Sequence, residues 1–199
     1  MRSFTVDERR ARIAVRHHLT ADAKQADVAV VARSLIGLHG TDPVSIFLAG
    51  RARMTAATVE MIERALYDER TVMRMLAMRR TLFVVPVDRV PVVQVAASDA
   101  VAANERKALL QMIAAAGIAK DAARWLRSVS GETVTVLREL GSATAAQLTE
   151  RVPRLQREVV LGPGTRWEAT QRVGLRVVPL LGVEGHIARG RPRGTWIST

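Results

Sequence analysis

Twice along this 199-residue chain the apolar period changes from about 3.6 residues to two, and each change closes a similar order of segments. Residues 7–18 carry Ala11, Ala14, Val15 and His18 at helical spacing behind Asp7, and residues 27–38 repeat the pattern with Val28, Val31, Leu35 and Leu38. Asp42 followed by Pro43 is a helix start, because the carboxylate caps free amides and proline suits the first turn. That helix is expected to run to about Arg53, and Thr55 and Thr58 open a fourth that runs through Ala65 or Leu66. Residues 71–77 and 81–85 then read as strands around Met78, Arg79 and Arg80.

Helical composition returns over residues 88–116, with breaks expected at Pro91 or near Ser98 and an end at Gly117. Residues 121–140 form a helix stopped by Gly141, and Ser142 or Thr144 caps a short helix ending at Pro153. The GPGT loop, residues 162–165, is expected to feed a helix over 166–183, followed by strands at 186–189 and 195–198. Helix, short helix, longer helix and hairpin is the order of a winged helix-turn-helix. The expected fold class is therefore mainly α with short β-hairpins, arranged as tandem winged helix-turn-helix units. Its expected domains are 1–86, a helical connector at 87–119, and 120–199.

The longest stretch without charge, residues 108–119, has 12 residues, whereas a bilayer span needs about 20. The start, MRSFTVDERRAR, lacks the apolar core of a secretory signal, and the chain has no cysteine. These features lead to the expectation of a cytoplasmic protein without a membrane partner. Charge is more informative: the net value is +11, with arginine outnumbering lysine 27 to 3. A preference for Arg over Lys leaves charge unchanged, so it does not explain the excess. Residues 1–80 hold 14 basic and 9 acidic groups, residues 81–150 seven of each, and residues 151–199 nine and three. Positive charge gathered at both ends points to a polyanion, most often nucleic acid, and on two winged-helix units the expected partner is duplex DNA.

If residues 166–183 are a groove-entering helix, Arg166, Gln171, Arg172 and Arg176 are the candidate contacts on it. Arg189, Arg191 and Arg193 would share one face of the following ribbon, an arrangement suited to phosphates rather than to base recognition. The plainer reading is that each is an ordinary solvated arginine.

Among catalytic signatures, HExxH, CxxC and a Walker loop are missing, and adjacent His17 and His18 diverge by about 100° on a helix. No metal and no cofactor is expected. Trp125, Trp167 and Trp196 are too scattered for a stacking platform and read as packing, as do Met73, Met75 and Met78. One segment stands apart: His39 and Thr41 put an imidazole and a hydroxyl two residues apart at a helix junction, with Arg79 and Arg80 in the hairpin of the same unit. On residue types alone, His39 is a capping or partly buried histidine and Asp42 an N-cap.

The run GLHGTDP (37–43), the run ALYDERTVMRMLAMRRTLFVVP (65–86), TRWEATQRVGLRVVPLL (165–181) and the ending HIARGRPRGTW (186–196) together resemble one family. It is the winged-helix DNA-binding family that includes the bacterial AlkZ and YcaQ type interstrand-crosslink DNA glycosylases. The resemblance implies tandem winged helices, DNA repair, and a monofunctional glycosylase that removes N7-alkylated purines and unhooks crosslinks. The family's catalytic motif, Gln, any residue, then Gln or Asp, aligns with His39, Gly40 and Thr41, so the resemblance makes His39 and Thr41 the candidate catalytic pair. It also aligns Arg80 and Phe83 with the Gly and His of an RGTLH pattern. Family members continue into a third winged helix and a barrel, so a C-terminal remainder is expected to be absent here. The alternative expectation is a non-catalytic winged-helix transcriptional regulator, and after it an architectural or protein-interaction module.

Overall fold

A computed structural model describes residues 3–194, which divide into two compact units: residues 3–94 with 189–194, and Val95–Ala188. The protein is mainly α-helical with small antiparallel sheets.

In the first unit the order is α1 (Val6–Arg16), α2 (Val28–Ser34), β1 (Leu38–His39), α3 (Pro43–Arg53), α4 (Val59–Glu63), β2 (Val72–Leu76), β3 (Leu82–Pro86) and α5 (Val90–Val93). The caps explain the helix starts. Asp27 accepts the Ala29 amide at 2.7 Å, Asp42 accepts that of Val44 at 3.1 Å, and Thr58 accepts that of Met61 at 3.2 Å. The second helix, expected to reach Leu38, stops at Ser34 because Ile36 adopts φ 71° and turns the chain into β1. The fourth does not end as a plain helix either, but widens into a π-helical turn over Arg64–Asp68.

β1, β3 and β2 form one antiparallel sheet in that order, with Val84 of β3 between Leu38 and Arg74. Its inner face meets α2, α3 and α4 in a core where Val31, Ile46, Ile62, Val72 and Val84 are essentially fully buried. Each such side chain contributes roughly 1.5–3 kcal/mol on burial.

The second unit holds α6 (Asp99–Ala115), α7 (Ala122–Leu140), α8 (Ala145–Arg151), β4 (Glu158–Leu161), β5 (Ala169–Arg172) and α9 (Gly174–Val183). α6, from the stretch expected to be a connector, buries Leu109 and Ile113 against α7 and α9. Thr144 and Gln147 form a complete capping box at α8.

The region after Leu161 departs from expectation. Residues 166–172 are not the start of a helix. Thr170 and Gln171 belong to β5, which pairs antiparallel with β4 around the GPGT loop, and helix begins only at Gly174. Val173, Val177, Leu180 and Leu181 provide the helical stripe, whereas the stretch before them has none. Gly162 makes the loop possible: it takes φ 52°, and a Cβ there would lie 2.2 Å from the Trp167 ring. Residues 186–189 form no strand, and the expected strand at 195–198 lies outside the described residues, as does Trp196.

Candidate active site

Position 40 has little room for a side chain. The residue is buried, and a Cβ would approach Ile46 at 3.2 Å and Val84 at 3.4 Å, so the chain lies directly on the core between two exposed neighbours, His39 and Thr41. The Gly40 amide donates to the Leu82 carbonyl at 2.7 Å, which extends the β1–β3 ladder by one bond. The Leu82 amide in turn donates to Thr41 Oγ1 at 3.1 Å. Ser45, on the first turn of α3, has its hydroxyl 2.6 Å from the Asp42 carbonyl and 3.1 Å from that of His39.

These constraints bring the two sequence-predicted catalytic side chains together, with His39 Nε2 3.4 Å from Thr41 Oγ1. Thr41 Oγ1 accepts from the Leu82 amide and, as a hydroxyl with a second lone pair and a proton of its own, can either donate to Nε2 or accept from it, according to the imidazole tautomer. Phe83 packs edge-on against the imidazole, with ring centroids 5.5 Å apart and an interplanar angle of 82°.

Arg74 is the residue that sequence reasoning missed. It is only 7% exposed, and donates from Nε to the Gly40 carbonyl at 2.8 Å and from Nη2 to the Thr41 carbonyl at 3.1 Å. Burial, and then the nearby Arg189 charge, push its pKa below the usual guanidinium value. A signal existed: within VMRML, Arg74 occupies the same strand face as buried Val72, where an apolar residue is expected.

Arg79 and Arg80 occupy the β2–β3 turn, exposed, in the same unit. The bond from the Thr81 amide to the Met78 carbonyl closes a turn whose two central residues are these arginines, at φ 56° and 58°. That is type I′ geometry, which ordinarily selects Asn and Gly.

The remaining candidates are dispersed. Arg166 is exposed in the β4–β5 loop and Arg172 is exposed on β5, so both lie on a ribbon rather than on a groove-entering helix. Gln171 is half-buried on β5, and its Nε2 is sealed without an acceptor. Arg176 is half-buried in the first turn of α9. The segment carrying Arg189, Arg191 and Arg193 is not a ribbon over its described part and belongs to the first unit. There the Arg189 carbonyl accepts from Arg70 at 3.2 Å, and burial lowers the Arg189 guanidinium pKa. Arg191 chelates Asp68 at 2.9 and 3.1 Å, pairs with Glu63, and stacks 5.2 Å from the Tyr67 ring centroid. Its charge is thus neutralised within the protein. Arg193 is exposed at the end of the described chain.

Among the described residues, no three His, Asp or Glu side chains converge on a metal site, and no helix is long and apolar enough to cross a membrane. A family model described as DNA glycosylase AlkZ-like matches residues 32–198, which contain the His39 loop, the sheet and most of both units. No curated protein and no solved structure matches the chain.

Proposed function

The chain belongs to the AlkZ-like DNA glycosylase family, and from that premise we propose that it hydrolyses the N-glycosidic bond of N7-alkylated purines, crosslinked ones included, in duplex DNA. The observation that carries this reading is the exposed pair of His39 Nε2 and Thr41 Oγ1 at 3.4 Å, in the loop fastened from beneath by Arg74.

Alkylation at N7 makes the base cationic, so the bond from C1′ to N9 breaks with its electron pair leaving on the base and no prior protonation. The sugar becomes oxocarbenium-like, and a water must then add at C1′ and lose a proton. Nε2 of a neutral His39 accepts that proton, while Thr41 Oγ1, its position set by the Leu82 amide, orients the water. No metal is needed for these steps.

The order α2, β1, α3, α4, β2, β3, with the sheet order β1-β3-β2, supports reading the first unit as a winged helix whose wing tip is Arg79 and Arg80. In the second unit the analogous ribbon is β4 and β5, so Arg166 at its tip and Arg172 on its strand are the phosphate contacts of choice there. Incubation with duplex carrying N7-methylguanine is expected to release the free base, and His39→Ala is expected to slow release by a factor of roughly 10²–10⁴. Release at the spontaneous rate, with affinity for DNA intact, would make the protein a DNA-binding regulator instead.

A further inference from the structure

Beside the His39 loop the first unit has a cleft of about 580 Å³, within the roughly 300–1,000 Å³ of sites that hold small organic groups. Most of its wall is apolar, with Ile13, Leu35 and Ile36 among the lining residues, and its polar groups come from Arg16 at the end of α1, His17 just after it, Arg53 of α3 and His39 of β1. No carboxylate lines it. Elsewhere on this unit arginines meet acids, as in Arg12 with Glu8, Arg33 with Asp88 and Arg64 with Glu69. Arg16 has no ion pair among the described residues. Arg53 donates from Nη1 to the Ala49 carbonyl at 3.1 Å, while its Nε is sealed from solvent without an acceptor.

A second observation points to a ligand. Ile36 is a β-branched residue held at φ 71°, and its side chain is 69% exposed. Left-handed backbone is costly for such a residue, and a turn that only joined α2 to β1 would carry Gly or Asn there. Strain of this kind persists where the side chain it displays is used.

We propose that this cleft holds one nucleotide of the DNA strand next to the reacting sugar, with its phosphate on the guanidinium groups of Arg16 and Arg53 and its sugar against Ile36. The proposal rests on the reading of His39 as the group that faces that sugar. The charge decides the class of ligand: two guanidinium groups without a carboxylate attract a phosphodiester and repel a cationic alkylated purine.

The test is fluorescence anisotropy of a labelled 20-base-pair duplex with the full chain between 50 and 200 mM KCl. Arg16→Gln/Arg53→Gln is expected to weaken binding about tenfold and to make the plot of log affinity against log salt shallower by about 0.9, the value for one phosphate. Arg9→Gln/Arg10→Gln, which removes equal charge from α1 outside the cleft, is expected to leave the slope unchanged. Arg16→Lys/Arg53→Lys is expected to keep it, and Ile36→Asn is expected to raise the thermal midpoint while weakening binding. Parallel salt plots for the cleft variant and the wild type overturn the proposal, as does an equal change in the Arg9/Arg10 control or unchanged affinity in Ile36→Asn. Base release by the wild type, measured alongside, separates the two readings. Without release, the expected slopes support the phosphate site and remove the glycosylase; with release, parallel slopes remove only the cleft.

Discussion

At the scale of residues, the candidate site is an imidazole-to-hydroxyl pair 3.4 Å apart whose placement depends on groups that do no chemistry. His39 and Thr41 are legible in the sequence because GLHGTDP sets them two apart beside a helix cap. Arg74 is not, since it acts 34 positions away through two carbonyls, and nothing local distinguishes it from a solvated arginine beyond its strand face. The turn between β2 and β3 carries backbone strain. Arg79 and Arg80 both sit in left-handed backbone, which disfavours non-glycine residues by roughly 1–2 kcal/mol each. Replacing them by Asn and Gly is expected to stabilise the protein against urea by about 1–2 kcal/mol while weakening DNA binding. Tyr67, the chain's only tyrosine, offers a direct probe of the ground beneath Arg191. Burial, opposed in part by the Arg74 charge, raises its pKa above the usual 10.0. The phenol therefore contributes stability that is complete below about pH 10 and is lost as pH rises through the higher folded value. Phenolate absorbance is expected to titrate later in the folded protein than in urea.

Among elements, caps made the helices readable: Asp27, Asp42, Thr58, Asp121 and Thr144 each accept a first-turn amide. Ends were harder. α2 stops early through the left-handed Ile36, a choice no periodicity announces. The β4–β5 ribbon was hidden by its loop, because Gly162, Pro163 and Gly164 serve equally to introduce a helix or to reverse a strand. Trp167 lies over Gly162, a contact between side chain and backbone that spacing cannot display. Gly162→Ala is expected to destabilise the protein by about 2 kcal/mol in urea unfolding, from the left-handed strain and the displaced indole together.

For the whole molecule, the family match covers residues 32–198 and spans most of both units. The charge excess was plain from composition, but where it acts was not. The surplus near the C-terminus is partly consumed internally, since Arg191 is bound to Glu63 and Asp68, leaving Arg79, Arg166 and Arg172 as exposed cations on ribbons. Such pairing joins positions more than 120 residues apart and could only be seen in the fold.

The central claim is that His39 takes the proton from the attacking water. The rate of base release in a single turnover at saturating duplex carrying N7-methylguanine tests it most directly. The wild type is expected to release base faster than the uncatalysed reaction, and His39→Ala to lose a factor of roughly 10²–10⁴ in that rate with its affinity for the duplex unchanged. Equal single-turnover rates for the two proteins, or wild-type release no faster than the uncatalysed reaction, would contradict it.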